Sequence, residues 1–139
     1  METWKVLAII SMIFAGFTAT TAKLGMNGTT PQVAMVSRAL IILLVVMVDF
    51  VRSKSYLGLE LVPKSSYFYL IISGLVAAGS WLSYYHALKS GNVSIINSID
   101  KASIVITLIL SFVWLGEPIT LQVIIGGGLV LAGLLVLIR

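Results

Sequence analysis

Five long apolar runs fill most of this chain and decide what it can fold into. An apolar stretch of about 20 residues can cross the ~30 Å hydrocarbon core of a bilayer as a helix. The runs are residues 4–22, 31–51, 67–88, 93–115 and 120–138. Only short polar breaks separate them. The sequence therefore predicts an all-α, polytopic transmembrane bundle of five helices that forms a single domain over residues 1–139.

Composition excludes the common soluble classes. Of the 139 residues, 59% are hydrophobic and 10% are charged, whereas soluble domains have about 25% charged residues. The net charge is +4, but the basic residues are scattered singly and form no nucleic-acid-binding patch. With no cysteine, one histidine and no soluble-enzyme motif, we expect no cofactor, no metal site and no enzymatic activity.

The first run has a second interpretation. Lys5, the apolar stretch at 6–17 and the small residues at 20–22 resemble a cleavable signal peptide. We favour a membrane span because the run continues evenly, and because its removal leaves four helices with no obvious exported domain. The first run is therefore predicted to be a transmembrane helix.

Lysine and arginine in the loops predict orientation only weakly. The side that holds the N-terminus has four basic residues, and the opposite side has three. The first set is Lys5, Arg52, Lys54 and Lys64, and the second is Lys23, Lys89 and Arg139. The positive-inside rule places the N-terminus in the cytoplasm. The small bias also permits insertion in both orientations.

Ionisable residues inside membrane spans are energetically costly, so each is a candidate functional residue. Arg38, His86, Asp100 and Lys101 meet this criterion. Counting from the helix ends at 1.5 Å per residue puts Arg38, Trp81 and Asp100 roughly 10–14 Å below one surface, with His86 nearer to it. We expect one layer of polar groups to line a cavity.

The fourth run carries a polar stripe at helical spacing. Its members, separated by three or four residues, are Asn97, Asp100, Ser103, Thr107, Ser111 and Trp114. Such spacing predicts one face of a continuous helix that points toward other helices. Arg38 or Lys101 would be the counter-charge of Asp100. Two interpretations stay open, a buried ion network that only neutralises itself and a direct role in substrate binding or proton transfer.

The third run combines small and aromatic residues. Trp81 and Tyr85 share a face at i, i+4, and Trp81 is predicted to line the cavity wall. Tyr85 and His86 are candidate binding residues, although we favour an aromatic belt at the membrane interface as the explanation for them. Gly128 and Ala132 in the fifth run predict close helix packing or a subunit contact.

Together these residues resemble the EamA-type domain of the drug/metabolite transporter superfamily, in its single-unit, five-helix bacterial and archaeal branch. The resemblance covers nearly the whole chain. Its pieces are Ala15 and Gly16 with Lys23, residues 37–40, residues 85–88 with Gly91, residues 98–103, and residues 115–118 with Thr120, Gln122, Gly126 and Gly133. Ala15 stands where the family often has Trp, and the first helix lacks the proton-coupling glutamate of small multidrug resistance proteins.

The resemblance implies a secondary active, multi-pass transporter of a small metabolite or drug-like solute in the inner membrane of a prokaryote. Larger members look like two inverted five-helix units, so a single unit implies a homodimer, and inverted repeats imply an antiparallel one. Any proton coupling would use Asp100 or His86. Asn97, Ser103 and Thr107 would supply hydrogen bonds. The alternative is a non-transporting membrane subunit, or a half-transporter that works only with a different partner chain.

Overall fold

The computed structural model describes residues 2–138, so the predicted contribution of Arg139 to the charge bias lies outside the described residues. No strand occurs within that range. The elements are α1 (Thr3–Gly25), α2 (Pro31–Arg52), a 3₁₀ segment (Ser55–Leu61), α3 (Lys64–Ser90), α4 (Val93–Lys101), α5 (Ser103–Leu110), a π-helical turn (Ser111–Leu115) and α6 (Leu121–Ile138). Five helical stretches are long and apolar enough to cross a membrane. The predicted all-α polytopic fold is confirmed.

The helix boundaries follow local capping chemistry. Thr30 is the N-cap of α2, and its Oγ1 accepts a hydrogen bond from the Val33 N–H at 3.4 Å, while Pro31 occupies the first helical position. At α6, the Thr120 Oγ1 accepts from the Val123 N–H at 3.3 Å. Each predicted run therefore begins and ends within three residues of a helical boundary in the structure.

The chain divides into two compact units, an N-terminal unit, Met1–Lys89, and a C-terminal unit, Ser90–Arg139. The N-terminal unit contains α1, α2, the 3₁₀ segment and α3. The C-terminal unit contains α4, α5, the π-helical turn and α6, and both α4 and α5 contact α6. Each unit has its own polar residues, so each is described separately below.

Apolar side chains cover the outside of the helices. Ile41 and Leu44 on α2 are both 65% exposed, and Leu75 on α3 is 69% exposed. The fully buried apolar side chains are few and include Tyr85 and Leu88 near the end of α3. Soluble monomers rarely expose apolar patches above a few hundred Å². This surface is suited to lipid.

The fourth span runs over Val93–Leu115, as predicted, but its regular backbone hydrogen bonding is interrupted at Ala102. At Ala102 the N–H bonds to the carbonyls of both Ser98 and Ile99, and the Val105 N–H bonds to the Ala102 carbonyl three residues earlier, so the turn is tightened. One turn before the break, the Ser98 hydroxyl donates to the Ser94 carbonyl at 2.7 Å. Hydroxyl bonds of this kind bend helices. The predicted continuous stripe is therefore divided.

The last turn of that span widens into the π-helical turn and ends at Gly116. Gly116 has φ +65°, which glycine adopts without steric cost. The Glu117 N–H then donates to the Ser111 carbonyl at 3.3 Å and closes the turn. Trp114 lies in this turn and is 78% exposed. The predicted polar stripe requires regular α-helical spacing, and that spacing does not extend to Trp114.

Candidate functional site

A cavity of about 410 Å³ opens among α1, α2 and α3 of the N-terminal unit; we call it the Arg38 cavity. Its walls are mostly apolar. Its polar lining residues are Thr18, Thr21, Thr29, Ser37, Arg38 and Tyr85. Binding sites for small molecules are commonly concave, largely apolar and equipped with a few placed polar groups. The Arg38 cavity has that composition and a suitable size.

Arg38 is held against two aromatic rings of α3. Its guanidinium carbon lies 5.0 Å from the Trp81 ring centroid and 5.9 Å from the Tyr85 ring centroid. Its Nη1 donates to the Tyr85 hydroxyl at 3.3 Å. Trp81 and Tyr85 are one helical turn apart, so both reach the same neighbour on α2. These contacts fix the position of a half-buried cation on the cavity wall.

Tyr85 is both the most enclosed member of this cluster and part of the cavity lining. It is only 2% exposed, and its ring meets the Tyr84 ring edge-on at a centroid distance of 6.2 Å. Trp81 contacts Arg38 but does not itself line the cavity. Trp81 therefore supports the cation, while Tyr85 and Arg38 present polar atoms to the cavity.

The threonines of the cavity bond to their own helices. The hydroxyl of Thr18 donates to the Phe14 carbonyl at 2.8 Å, and that of Thr21 donates to the Phe17 carbonyl at 2.9 Å. Thr29 donates to the Gly25 carbonyl at 3.2 Å in the same way. Because each hydroxyl has one proton, these side chains have only acceptor capacity left.

Two further contacts join the helix ends beside the Arg38 cavity. The Lys23 ammonium at the end of α1 donates to the Leu88 carbonyl and lies 3.5 Å from the Lys89 carbonyl oxygen, at the end of α3. Gln32 Nε2 in the first turn of α2 lies 3.3 Å from His86 Nε2. His86 is exposed and contacts Gln32 rather than Arg38. The ends of α1 and α3 therefore meet the start of α2.

In the C-terminal unit, Asp100 pairs with its neighbour in sequence. The Lys101 Nζ lies 3.1 Å from the Asp100 Oδ2, and the side chains are 56% and 37% exposed, respectively. Both residues stand at the end of α4, immediately before the break at Ala102. Lys101, one of the two counter-charges that the sequence offers for Asp100, is in contact with it within this unit.

The other polar candidates of the C-terminal unit are more scattered. Asn97 is half-buried on α4, whereas Ser103 and Thr107 are exposed on α5. The Thr107 hydroxyl donates to the Ser103 carbonyl at 3.2 Å. The contact face of α5 toward α6 is apolar and includes Leu108. Ser103 and Thr107 therefore do not join the Asp100–Lys101 pair within this unit.

The glycines of α6 allow a close approach to α5. A Cβ atom built on Gly127 would lie 2.7 Å from the Leu108 Cδ1, so only glycine fits there without movement. Beside this contact is an apolar cavity of about 150 Å³ to which Gly128 contributes. Gly128 is thus close to the predicted packing surface, but Gly127 makes the tightest approach.

The sequence predictions did not include several lining residues of the Arg38 cavity. The signal was nevertheless present, because small residues on α1 repeat at i, i+3, i+4 and i+7. They are Thr18, Thr21, Ala22 and Gly25. On α2, Ser37 directly precedes Arg38 and also lines the cavity. A stripe of small residues beside a charged residue on the next helix indicates where space for a ligand can open.

Comparisons with known proteins give consistent results. The profile of the EamA-like transporter family matches residues 2–139. The chain is 32% identical over 136 residues to a Sinorhizobium protein named "Uncharacterized transporter in cobO 3'region", and the match covers 98% of this chain and 96% of that protein. No solved structure matches significantly.

Proposed function

Since this chain belongs to the EamA-like transporter family and is a multi-pass membrane transporter, we propose that it moves a small metabolite or drug-like solute across the inner membrane of a prokaryote by secondary active transport. The Arg38 cavity is the observation that carries this proposal. It offers a volume of about 410 Å³, apolar walls and a positioned cation. These are the properties that a solute-binding site requires.

Asp100 is the proposed coupling residue. A carboxylate can take up and release a proton, and the Lys101 ammonium group lies 3.1 Å from the Asp100 carboxylate. The pair stands at an interruption of the fourth span. Transporters of several folds place their ion sites at discontinuous helices. Protonation of Asp100 would release Lys101 and change the local charge during the cycle.

We expect the working form to be an antiparallel homodimer. Five helices cannot contain an inverted pair of equal repeats, so a second copy would supply the inverted half. The balance of four basic residues against three permits both orientations. Gly126 and Gly133 on α6 meet no neighbouring atom within 4 Å of an added Cβ, which leaves room for a partner helix.

The test of transport is uptake by purified protein in proteoliposomes under an imposed pH gradient, screened with a panel of labelled metabolites. We expect the Asp100→Asn variant to lose gradient-driven uptake. Asp49→Asn is the matched control because Asp49 is also a carboxylate in a span, but it is exposed near the end of α2. Normal uptake by Asp100→Asn over a range of pH would contradict the coupling role.

The orientation is tested separately, with tags at both termini and labelling from each side of the membrane. Labelling of each terminus from both sides supports dual insertion, whereas one uniform orientation contradicts it. A pure homodimer that takes up no solute, combined with uptake after addition of a different five-helix chain, would favour the half-transporter alternative.

A further inference from the structure

We propose that the solute carries an anionic group, a carboxylate or a phosphate, which binds at Arg38 in the Arg38 cavity. The inference rests on the proposed transport function and adds the substrate class. It follows from the hydrogen-bond donors of the cavity, the charges around it, and the support of the cation by aromatic rings instead of a carboxylate.

The hydrogen-bond donors of the cavity that remain unused lie together around Arg38. The Arg38 guanidinium has five N–H donors, of which one serves the Tyr85 hydroxyl. Tyr85 accepts that bond through its oxygen, so its own proton is available to a ligand. Ser37 directly precedes Arg38 and also lines the cavity, and its hydroxyl makes no hydrogen bond within the described part of the chain. Adjacent donors of this kind suit an oxyanion.

Within the described part of the N-terminal unit, no carboxylate pairs with Arg38. The ion pairs found among residues 2–138 are Lys5–Glu2 and Lys101–Asp100, and neither includes Arg38. On α2, Asp49 is 11 residues from Arg38, which corresponds to about 16 Å along the helix. Glu2 precedes α1, and Glu60 lies in the 3₁₀ segment, so all three acidic residues of the N-terminal unit lie at the opposite end from Arg38.

The end of the N-terminal unit that contains the Arg38 cavity therefore carries only positive formal charge. Its charged residues are Lys23, Arg38 and Lys89. Lys23 is engaged with the carbonyls that end α3, where it compensates the negative end of the helix dipole. Lys89 is exposed in the last turn of α3. Arg38 is thus the cation that faces the cavity without a neutralising group.

Arg38 is also positioned before a ligand arrives. The Trp81 and Tyr85 rings hold the guanidinium by cation–π contacts, which are worth about 0.5–2 kcal/mol each. Aromatic faces stabilise a cation without cancelling its formal charge. Arg38 lies seven residues into α2, about 10 Å from the helix start, where an unpaired charge is costly. An anionic solute would remove that cost while it is bound.

The rest of the cavity wall favours a ligand whose uncharged part is apolar. Val33, Ile41 and Ile42 contribute much of its wall. A compact organic anion with one charged end and one apolar end fits this arrangement. Both a free solute and the headgroup of an anionic lipid offer this chemistry, so the experiment must distinguish the two.

The experiment is calorimetric titration of the purified protein in phosphatidylcholine nanodiscs with three probes of similar shape. Phenylacetate is anionic, phenylacetamide is neutral and phenethylamine is cationic. We expect phenylacetate to bind at least about tenfold more tightly than phenylacetamide, as a charge-assisted hydrogen bond implies. Benzylphosphonate, which presents the phosphate-type group, should share this advantage. Phenethylamine should bind most weakly.

Variants connect this preference to Arg38. Arg38→Gln should reduce the ratio of phenylacetate to phenylacetamide affinity to about one, and Arg38→Lys should keep part of it. Tyr85→Phe removes one donor, retains the ring, and should weaken phenylacetate binding by about three- to tenfold. Arg52→Gln is the control, since Arg52 is a base at the opposite end of α2. Circular dichroism confirms that each variant is folded, and Tyr85→Phe tests the proposal if Arg38→Gln does not fold.

Equal binding of the three probes, or an anion preference that persists in both Arg38→Gln and Tyr85→Phe, overturns the proposal. Loss of phenylacetate binding in nanodiscs that contain phosphatidylglycerol, together with Arg38-dependent binding of that lipid, assigns the cavity to a headgroup and also overturns it. Proteoliposome uptake separates the two hypotheses. Uptake of neutral or cationic solutes only refutes the anionic class and leaves transport intact, whereas anion binding without uptake of any solute refutes transport.

Discussion

Arg38 in the N-terminal unit and Asp100 in the C-terminal unit are both ionisable side chains of membrane-spanning helices, yet their surroundings differ. Arg38 is held by the rings of Trp81 and Tyr85 and has no ion-pair partner among the described residues. Asp100 has Lys101 beside it at 3.1 Å. The first arrangement preserves a net charge, whereas the second cancels one. This contrast underlies the two proposed roles, ligand binding at Arg38 and a reversible change of charge at Asp100.

The largest effect is expected when one residue of the Asp100–Lys101 pair in the C-terminal unit is replaced. Lys101→Met leaves the Asp100 carboxylate without its counter-ion, and we expect it to destabilise the protein by about 3 kcal/mol, because an unpaired charge within a membrane span costs about 2.5–3.5 kcal/mol. The double variant Asp100→Asn with Lys101→Gln should be close to the original stability. Thermal unfolding in nanodiscs measures both. Equal stability of the two variants would mean that the pair is in water.

The units also differ in how closely their helices approach, and one glycine tests this. Gly127→Val places atoms where Leu108 now lies, and overpacking of this kind costs about 1–3 kcal/mol. Gly128→Val is the control because an added Cβ there meets nothing within 4 Å. Thermal unfolding without denaturant should give a lower unfolding temperature for Gly127→Val than for Gly128→Val. If both unfold at the same temperature, the contact between α5 and α6 is looser than the structure has it.

A smaller effect is expected from the aromatic support of Arg38. Trp81→Leu removes the cation–π contact but leaves the guanidinium and its charge. Loss of about 0.5–2 kcal/mol of this interaction corresponds to a phenylacetate affinity about two- to thirtyfold lower. Trp81→Phe keeps an aromatic face and should lose less. Calorimetric titration measures both variants, and an unchanged affinity in Trp81→Leu would show that Tyr85 alone positions Arg38.

The smallest effect distinguishes donors from acceptors in the Arg38 cavity. Ser37→Ala removes an available hydroxyl proton and should weaken phenylacetate binding about two- to fivefold. Thr21→Val removes a hydroxyl whose proton already goes to the Phe17 carbonyl, so phenylacetate affinity should change by less than about twofold. If Thr21→Val lost more phenylacetate affinity than Ser37→Ala, the assignment of Ser37 as the donor to the ligand would be wrong.

Much of the fold was predictable from sequence because apolar length and helix caps act locally. Pro31 opens α2 as expected, and residues 93 and 115 bound the fourth span as predicted. The break at Ala102 was not predicted, since no glycine or proline marks it and hydropathy carries no information about backbone hydrogen bonds. The Ser98 hydroxyl bonds to the Ser94 carbonyl one turn before it, but Thr18 makes the same bond within the unbroken α1, so this pattern alone does not identify the position.

The candidate site was predictable in part. Counting residues from the helix ends put Arg38 and Trp81 at one depth, and the two side chains are in contact. The same counting cannot show that Tyr85 joins them or that His86 meets Gln32, because those contacts depend on how α2 and α3 are rotated. The roles of all these residues in transport stay predictions.

The interruption of the fourth span also has a consequence for the order of assembly. α4 has nine residues and α5 has eight, and the tightened turn at Ala102 joins them. Both segments contact α6, which is an unbroken helix of 18 residues. α6 therefore packs against the fourth span on both sides of the turn at Ala102. Because α6 follows α4 and α5 in the chain, we expect the packing of the fourth span to be completed only after α6 has formed.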